Sequence, residues 1–217
     1  MHAVKRAYVD FVQGVARGDS GDRLTDWARR ADPYGWRRWT VSLLAIYDTR
    51  RMVALDLPWW NVEATREVEA FLRARPSARV FEYGAGASTA WLARRAAEVV
   101  SVEHDAAFIA QFRELLRPFR NVTLLERSIE QPANYVGAIQ SVDGSFDLIV
   151  VDGRQRIACL EAALPRLKPD GIVLFDDSGR RRYRDGIERC GLVERRHYGR
   201  SFCVPYPDNT SLLSHRA

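Results

Sequence analysis

A short apolar run that ends in an acid, breaks into glycines and then opens a helix leaves a chain few folds to choose from. Here that run is Arg79-Val-Phe-Glu-Tyr-Gly-Ala-Gly-Ala-Ser-Thr89. A second apolar run, Val99-Val-Ser-Val-Glu-His-Asp105, closes on another acid. Glu82 and Glu103 thus end two successive strands roughly 20 residues apart, the spacing by which an open α/β sheet binds a nucleoside.

The chain after this point alternates. Strands are expected at Val80 to Tyr83, Val99 to Glu103, Val122 to Leu125, Phe146 to Val151 and Gly171 to Phe175. Helices are expected between them, at about Ser88 to Ala96, Ala106 to Leu116 and Ile157 to Leu167. Near-continuous apolar strands separated by amphipathic helices imply a parallel sheet covered on both faces, a Rossmann-like α/β fold. After a last helix at about Tyr183 to Cys190, Leu192 to Tyr198 and Phe202 to Val204 lie close together around Gly199 and predict a closing antiparallel hairpin.

Upstream, Val4, Tyr8, Phe11, Val12 and Val15 repeat at helical spacing and predict a helix to about Arg17. Gly18 to Gly35 reads as a connection with at most one short helical turn, and a second helix is expected from Trp36 to Arg51. Pro58-Trp59-Trp60-Asn61 introduces another, from about Val62 to Arg75. We divide the chain into a helical extension, residues 1–57, and a catalytic domain, residues 58–217. The extension is expected to serve as a lid or as a homo-oligomer interface, because its tryptophans cannot be buried by these helices alone.

Composition removes several classes. No apolar stretch is long enough to span a bilayer, and Met1 to Ser20 lacks the order of a signal peptide, so a cytoplasmic protein without a membrane partner is expected. Cys159, Cys190 and Cys203 are too scattered for a metal site or a disulfide scaffold. The net charge of +5 comes from arginine, with Lys5 and Lys168 the only lysines. Acids are interleaved with the arginines, which argues against a polynucleotide partner, though an RNA acceptor stays open. The one local basic cluster is Arg180-Arg181-Arg182-Tyr183-Arg184, which either faces an acidic substrate or solvates a helix.

Gly84 and Gly86 allow a sharp turn and close approach of a ligand to the backbone. A dinucleotide site would want a third glycine where Thr89 stands. A carboxylate such as Glu82 beside a phosphate is repulsive, but beside the ammonium and sulfonium of S-adenosylmethionine it is favourable. Glu103 is placed to accept ribose hydroxyls, His104 to lie against adenine, and Ser128 to meet the adenine edge, with Ser88 in the turn. The cofactor set is therefore Glu82, Gly84, Gly86 and Ser88 from the first turn, with Glu103, His104 and Ser128 beyond it.

Four segments together carry a family resemblance: Phe81-Glu-Tyr-Gly-Ala-Gly-Ala-Ser-Thr89, Ser101-Val-Glu-His-Asp105, Phe146-Asp-Leu-Ile-Val-Val-Asp-Gly-Arg154 and Leu167-Lys-Pro-Asp-Gly-Ile-Val-Leu-Phe-Asp-Asp177. They resemble the successive motifs of class I S-adenosylmethionine-dependent methyltransferases. The resemblance implies a seven-stranded sheet with an antiparallel last strand, and S-adenosylmethionine as cofactor. The strand ends at Asp152, Asp176 and Asp177 are similar to the metal-dependent catechol-type O-methyltransferases, with Asp177 in place of an asparagine. That likeness implies a Mg²⁺ or Ca²⁺ ion held by Asp152, Asp176 and Asp177. The competing expectation is a metal-free site in which Asp152 is the base or orienting group, with Arg154 and Asp177 beside it. Arg154 and Arg156 would then neutralise Asp152 or bind a carboxylate, phosphate or sugar acid. Trp59, Trp60 and Tyr183 are candidate pocket walls.

The expected activity is methyl transfer to oxygen, less readily nitrogen, of a small-molecule or saccharide-like acceptor. The alternatives are aminopropyl or another S-adenosyl-dependent transfer, a non-catalytic binding module, and an NAD-linked oxidoreductase. The last is disfavoured by Glu82 and Thr89. A DNA amino-methyltransferase is disfavoured too, because Asp152-Gly-Arg-Gln155 stands where a base-flipping Pro-Pro-aromatic motif would be.

Overall fold

The computed structural model describes residues 12, 14 and 18–215. Seven strands form one sheet: β1 (Arg79–Tyr83), β2 (Glu98–Glu103), β3 (Val122–Glu126), β4 (Phe146–Val151), β5 (Leu167–Asp176), β6 (Val193–Gly199) and β7 (Asp208–Ser214). Their order is β3-β2-β1-β4-β5-β7-β6. The first five run parallel, and β7 runs antiparallel to both β5 and β6.

Successive strand residues point to opposite faces, so each apolar doublet feeds two layers. Val80, Val99, Leu148 and Leu212 pack on Trp60, Leu72 and Trp91. Their neighbours Phe81, Val100, Ile149 and Leu213 pack on Tyr135, Leu160 and Ile187. The first layer is covered by α4 (Val62–Arg73) and α5 (Ala87–Ala93), the second by α8 (Arg156–Ala163) and α9 (Arg181–Arg189). Between these come α6 (Ala106–Leu116), at the expected bounds, and the short α7 (Pro132–Val136), for which the sequence carries no expectation. Asn61 starts α4 by accepting from the backbone of Glu63 and Ala64, which explains the abrupt entry after the paired tryptophans.

The N-terminal region departs from expectation. The helix expected up to Arg17 lies outside the described residues apart from Val12 and Gly14. The connection expected at Gly18 to Gly35 contains instead an eleven-residue helix, α1 (Asp19–Arg29). Its inward stripe is Gly21, Thr25 and Ala28, too small to register as an apolar pattern but suited to close packing. The single helix expected from Trp36 to Arg51 is two, α2 (Trp36–Ser42) and α3 (Thr49–Leu55). Between them Tyr47 takes a left-handed φ of 58° and Asp48 caps α3 by accepting from Arg51 N. Buried Arg38 ties the group together, donating to the carbonyls of Ala28, Arg29, Ala31 and Leu55. A cation among the last carbonyls of α1 also opposes that helix's dipole.

The closing hairpin is present, but its second strand is β7 and not Phe202 to Val204. The apolar residues of that segment serve another purpose: Phe202 and Cys203 are buried against Met52 and Leu55. Trp39 Nε1 donates to Ser201 O at 2.9 Å and Cys203 N to Ser42 Oγ at 3.0 Å. The polar strand β7 is buried because its hydroxyls find partners, Thr210 on Asp176 and Ser211 on Ser178. All three cysteines are free thiols, and Cys159 and Cys203 are packed in the interior. No helix among the described residues is long and apolar enough to cross a membrane.

Candidate active site

Strand order reverses at β1, whose neighbours β2 and β4 are reached by crossovers leading in opposite directions; such a point opens a crevice at the carboxyl ends of the strands. Two glycines meet there. Gly84 has φ +95°, and a Cβ on it would lie 2.7 Å from Gly153 Cα, after β4. A Cβ on Gly153 would run into the Tyr135 hydroxyl. Sequence reasoning singled out Gly84 but missed Gly153 and Tyr135. The available signal was a glycine directly after each of two adjacent strands, in Tyr83-Gly84 and Asp152-Gly153.

Glu82 lies beneath this turn, fully buried, and accepts hydrogen bonds from Ser88, Thr89 and Ser101, each at 2.5 Å. Thr89 Oγ1 also accepts from Gly86 N at 3.0 Å, so the residue in place of a third glycine links the turn to the buried acid. Glu82 therefore braces the loop from below, while Ser88 lines the crevice but spends its hydroxyl on Glu82. Burial outweighs the three donors and raises the Glu82 pKa from the usual 4.5 to about 7. The folded chain thus holds this proton more tightly than the unfolded one. The resulting stabilisation is complete below about pH 4.5 and is lost as pH rises through about 7. Glu82→Gln is expected to flatten this loss, read as a urea midpoint that changes less between about pH 5 and pH 8 than that of the wild type.

Above the turn is a cavity of about 500 Å³, walled by Gly84 to Ser88, Glu103, His104 and Asp152 to Arg154, with Tyr47, Met52 and Trp59 from the N-terminal side. Glu103 Oε1 accepts from the backbone of His104 and Asp105, at 2.7 and 3.0 Å, while Oε2 makes no hydrogen bond among the described residues. Gly86 faces open space: a Cβ there would meet only Ser88 Oγ, at 3.9 Å. This bare backbone opposite a half-satisfied carboxylate fits a ribose and an amino-acid portion, as S-adenosylmethionine requires. Of the expected cofactor residues, Gly84, Gly86, Ser88, Glu103 and His104 are brought together. Ser128 is exposed, accepts from Glu130 N and does not line the cavity.

Beside this cavity the three strand-end aspartates converge, and they converge on Arg156. Its guanidinium lies 2.7 Å from Asp152 Oδ1, 3.0 Å from Asp177 Oδ2 and 3.8 Å from Asp176 Oδ2. Arg180 takes Asp177 at 2.8 Å, Trp60 Nε1 donates to Asp152 Oδ2 at 3.1 Å, and Thr210 donates to Asp176 at 2.7 Å. This arrangement does not support the expected Mg²⁺ or Ca²⁺ site. The position a cation would take among Asp152, Asp176 and Asp177 is filled by an arginine, and no acid cluster among the described residues is arranged to hold a metal ion. Burial raises the pKa of Asp152 and of Asp176, the latter well above the ordinary range, with Arg156 opposing both shifts. The same acids hold the buried Arg156 charged. Trp60 is a core residue that reaches the site through its indole N–H, whereas Trp59 and Tyr183 do line cavities.

Residues 81–178 match a family model described as a methyltransferase domain. No curated protein matches the chain. Among solved structures, precorrin-6y C5,15-methyltransferase from Geobacter metallireducens GS-15 is 16% identical with a TM-score of 0.54, covering 71% of this chain and 88% of that one. A putative methyltransferase from Streptococcus mutans in complex with SAH is 12% identical, with a TM-score of 0.52 and coverage of 69% and 96%. Spermidine synthase from Thermotoga maritima is 19% identical, with a TM-score of 0.51 and coverage of 69% and 56%. The matched residues span the glycine turn, both strand-end acids and the aspartate cluster, so this part of the chain is similar to a methyltransferase domain, carried on the seven-stranded Rossmann-like fold that these solved structures share.

Proposed function

We propose that the protein is a class I S-adenosylmethionine-dependent methyltransferase that acts in the cytoplasm on an oxygen of a small-molecule or saccharide-like acceptor, with Asp152 as the base. The observation that carries the reading is the position of Asp152. It borders both the donor cavity and a second one of about 240 Å³, walled by Trp59, Asp176, Asp177, Arg180 and Tyr206. A group moving from donor to acceptor would cross at this carboxylate.

Methyl transfer is an in-line displacement, so alignment and removal of one proton are the main demands. When bound, the cofactor supplies an electrophilic methyl on a sulfonium. Asp152 is held in one orientation by Trp60 and Arg156, and its raised pKa makes it a stronger base than an ordinary carboxylate. In this reading it takes the hydroxyl proton as the oxygen attacks. Gly86 and Glu103 hold the donor, and the extension before residue 58 acts as a lid, because Tyr47, Thr49 and Met52 wall the donor cavity.

Calorimetric titration with S-adenosylhomocysteine tests the donor half. Binding by the wild type and a loss of about 10- to 100-fold in Glu103→Ala are expected, for two hydroxyl contacts to a charged acceptor. An unchanged affinity in the variant removes Glu103 from the site. Product mass tests the other half: a gain of one methyl group supports the reading, an aminopropyl group replaces it, and no product from any acceptor leaves a binding module.

A further inference from the structure

Next to the aspartate cluster is a third cavity, of about 420 Å³, whose lining is basic: Arg154, Arg156, Arg180 and Arg182, with Tyr183 and a single acid, Asp177. Asp177 is already committed, held between Arg156 at 3.0 Å and Arg180 at 2.8 Å. Arg156 is spent on the aspartates. The other three arginines are exposed and keep donors to spare. Arg154 makes no ion pair among the described residues. Arg180 has one carboxylate oxygen as its partner, and Arg182 rests on Tyr183, donating to its hydroxyl at 2.8 Å.

Two helices begin at this cavity. The cap residue of α8 is Gln155 and that of α9 is Arg180. Neither makes a side-chain capping bond, and neither helix carries an acid in its first turn. Helix amino ends left this way hold partial positive charge and unsatisfied N–H groups. Gln155 and Asp177, one on each wall, also take left-handed backbone conformations, φ 50° and 56°. Such conformations persist where the surroundings over-determine them. Guanidinium forks match phosphate and carboxylate oxygens in geometry as well as charge.

We propose that this cavity binds an anionic group, a phosphate or a carboxylate, carried by the methyl acceptor. Arg154, Arg180 and Arg182 are its ligands, and Arg154, which also walls the donor cavity, marks the near end. That the anion belongs to the acceptor rests on the methyl-transfer reading above; that an anion binds here does not.

The test is calorimetric titration of the full chain at low ionic strength with pyrophosphate and, separately, with succinate. Saturable binding of one of them is expected, which tells phosphate from carboxylate recognition. A loss of tenfold or more is expected in Arg182→Ala and in the Arg154→Ala/Arg182→Ala pair. Arg113→Ala, an exposed arginine on α6, is expected to change affinity less than twofold. No binding of either anion, unchanged binding in the double variant, or an equal loss in Arg113→Ala overturns the proposal. Titrating the wild type with S-adenosylhomocysteine alongside keeps the two readings apart, because donor binding without anion binding defeats only this one.

Discussion

Arg156→Met is expected to destabilise the fold by about 3–5 kcal/mol at pH 7, the cost of leaving buried charges without a partner. The substitution removes the one group among the described residues that touches all three strand-end aspartates, leaving a single cation, Arg180 on Asp177, with neutral donors Trp60 on Asp152 and Thr210 on Asp176. The loss depends on pH. Asp152 and Asp176 already hold their protons more tightly folded than unfolded, because burial raises both pKa values. Without Arg156 the shifts grow. A carboxyl group with a raised folded pKa stabilises below its unfolded pKa and loses that stabilisation as pH rises through the folded one. The variant is therefore closest to the wild type in acid, and the gap widens toward neutral pH. Urea midpoints measured across this range read the effect directly. Asp152→Asn added to Arg156→Met is expected to recover part of the stability, since it removes one uncompensated charge. A destabilisation independent of pH would mean that Arg156 acts by packing alone.

The same residue shows where sequence reading stops. Strand ends at Asp152 and Asp176 were legible, because apolar runs closing on an acid fix where a parallel strand stops. Three carboxylates in a line of sequence nevertheless read as a cation site. The cation is present, supplied by the first residue of α8, and only the fold brings Arg156 back over both strand ends. Glu82 and Glu103 show a similar limit. Both were found as strand-end acids, but burial gives them different work: Glu82 spends both oxygens on hydroxyls under the turn, and Glu103 keeps one oxygen for the cavity. Spacing locates an acid and does not count its partners. In the N-terminal region the missed helix α1 buries Gly21, Thr25 and Ala28, a face built for close approach and not for apolar area. Phe202 erred in the opposite sense, its apolar character belonging to a loop that seals the N-terminal helices against the sheet domain.

The two glycines of the turn are expected to separate folding from binding. Gly84→Ala places a Cβ 2.7 and 2.8 Å from the Gly153 Cα and N, backbone atoms that cannot swing aside as a flexible side chain would. It also forces an L residue to φ +95°, outside the range such residues adopt readily. Overpacking and strain together make a loss of about 2–4 kcal/mol the expected result, seen as a lowered thermal midpoint with or without ligand. Gly86→Ala differs in kind. Its φ of −175° is ordinary extended backbone, and the added methyl meets nothing of the protein closer than 3.9 Å. Its thermal midpoint is expected to stay near that of the wild type, while the methyl occupies the space the donor needs. A fall of tenfold or more in S-adenosylhomocysteine affinity, about 1.4 kcal/mol, would follow. If Gly86→Ala binds as tightly as the wild type, the donor does not approach the turn at this glycine. If instead it unfolds like Gly84→Ala, the open space above residue 86 is itself part of the packed fold, and the crevice is no ligand site.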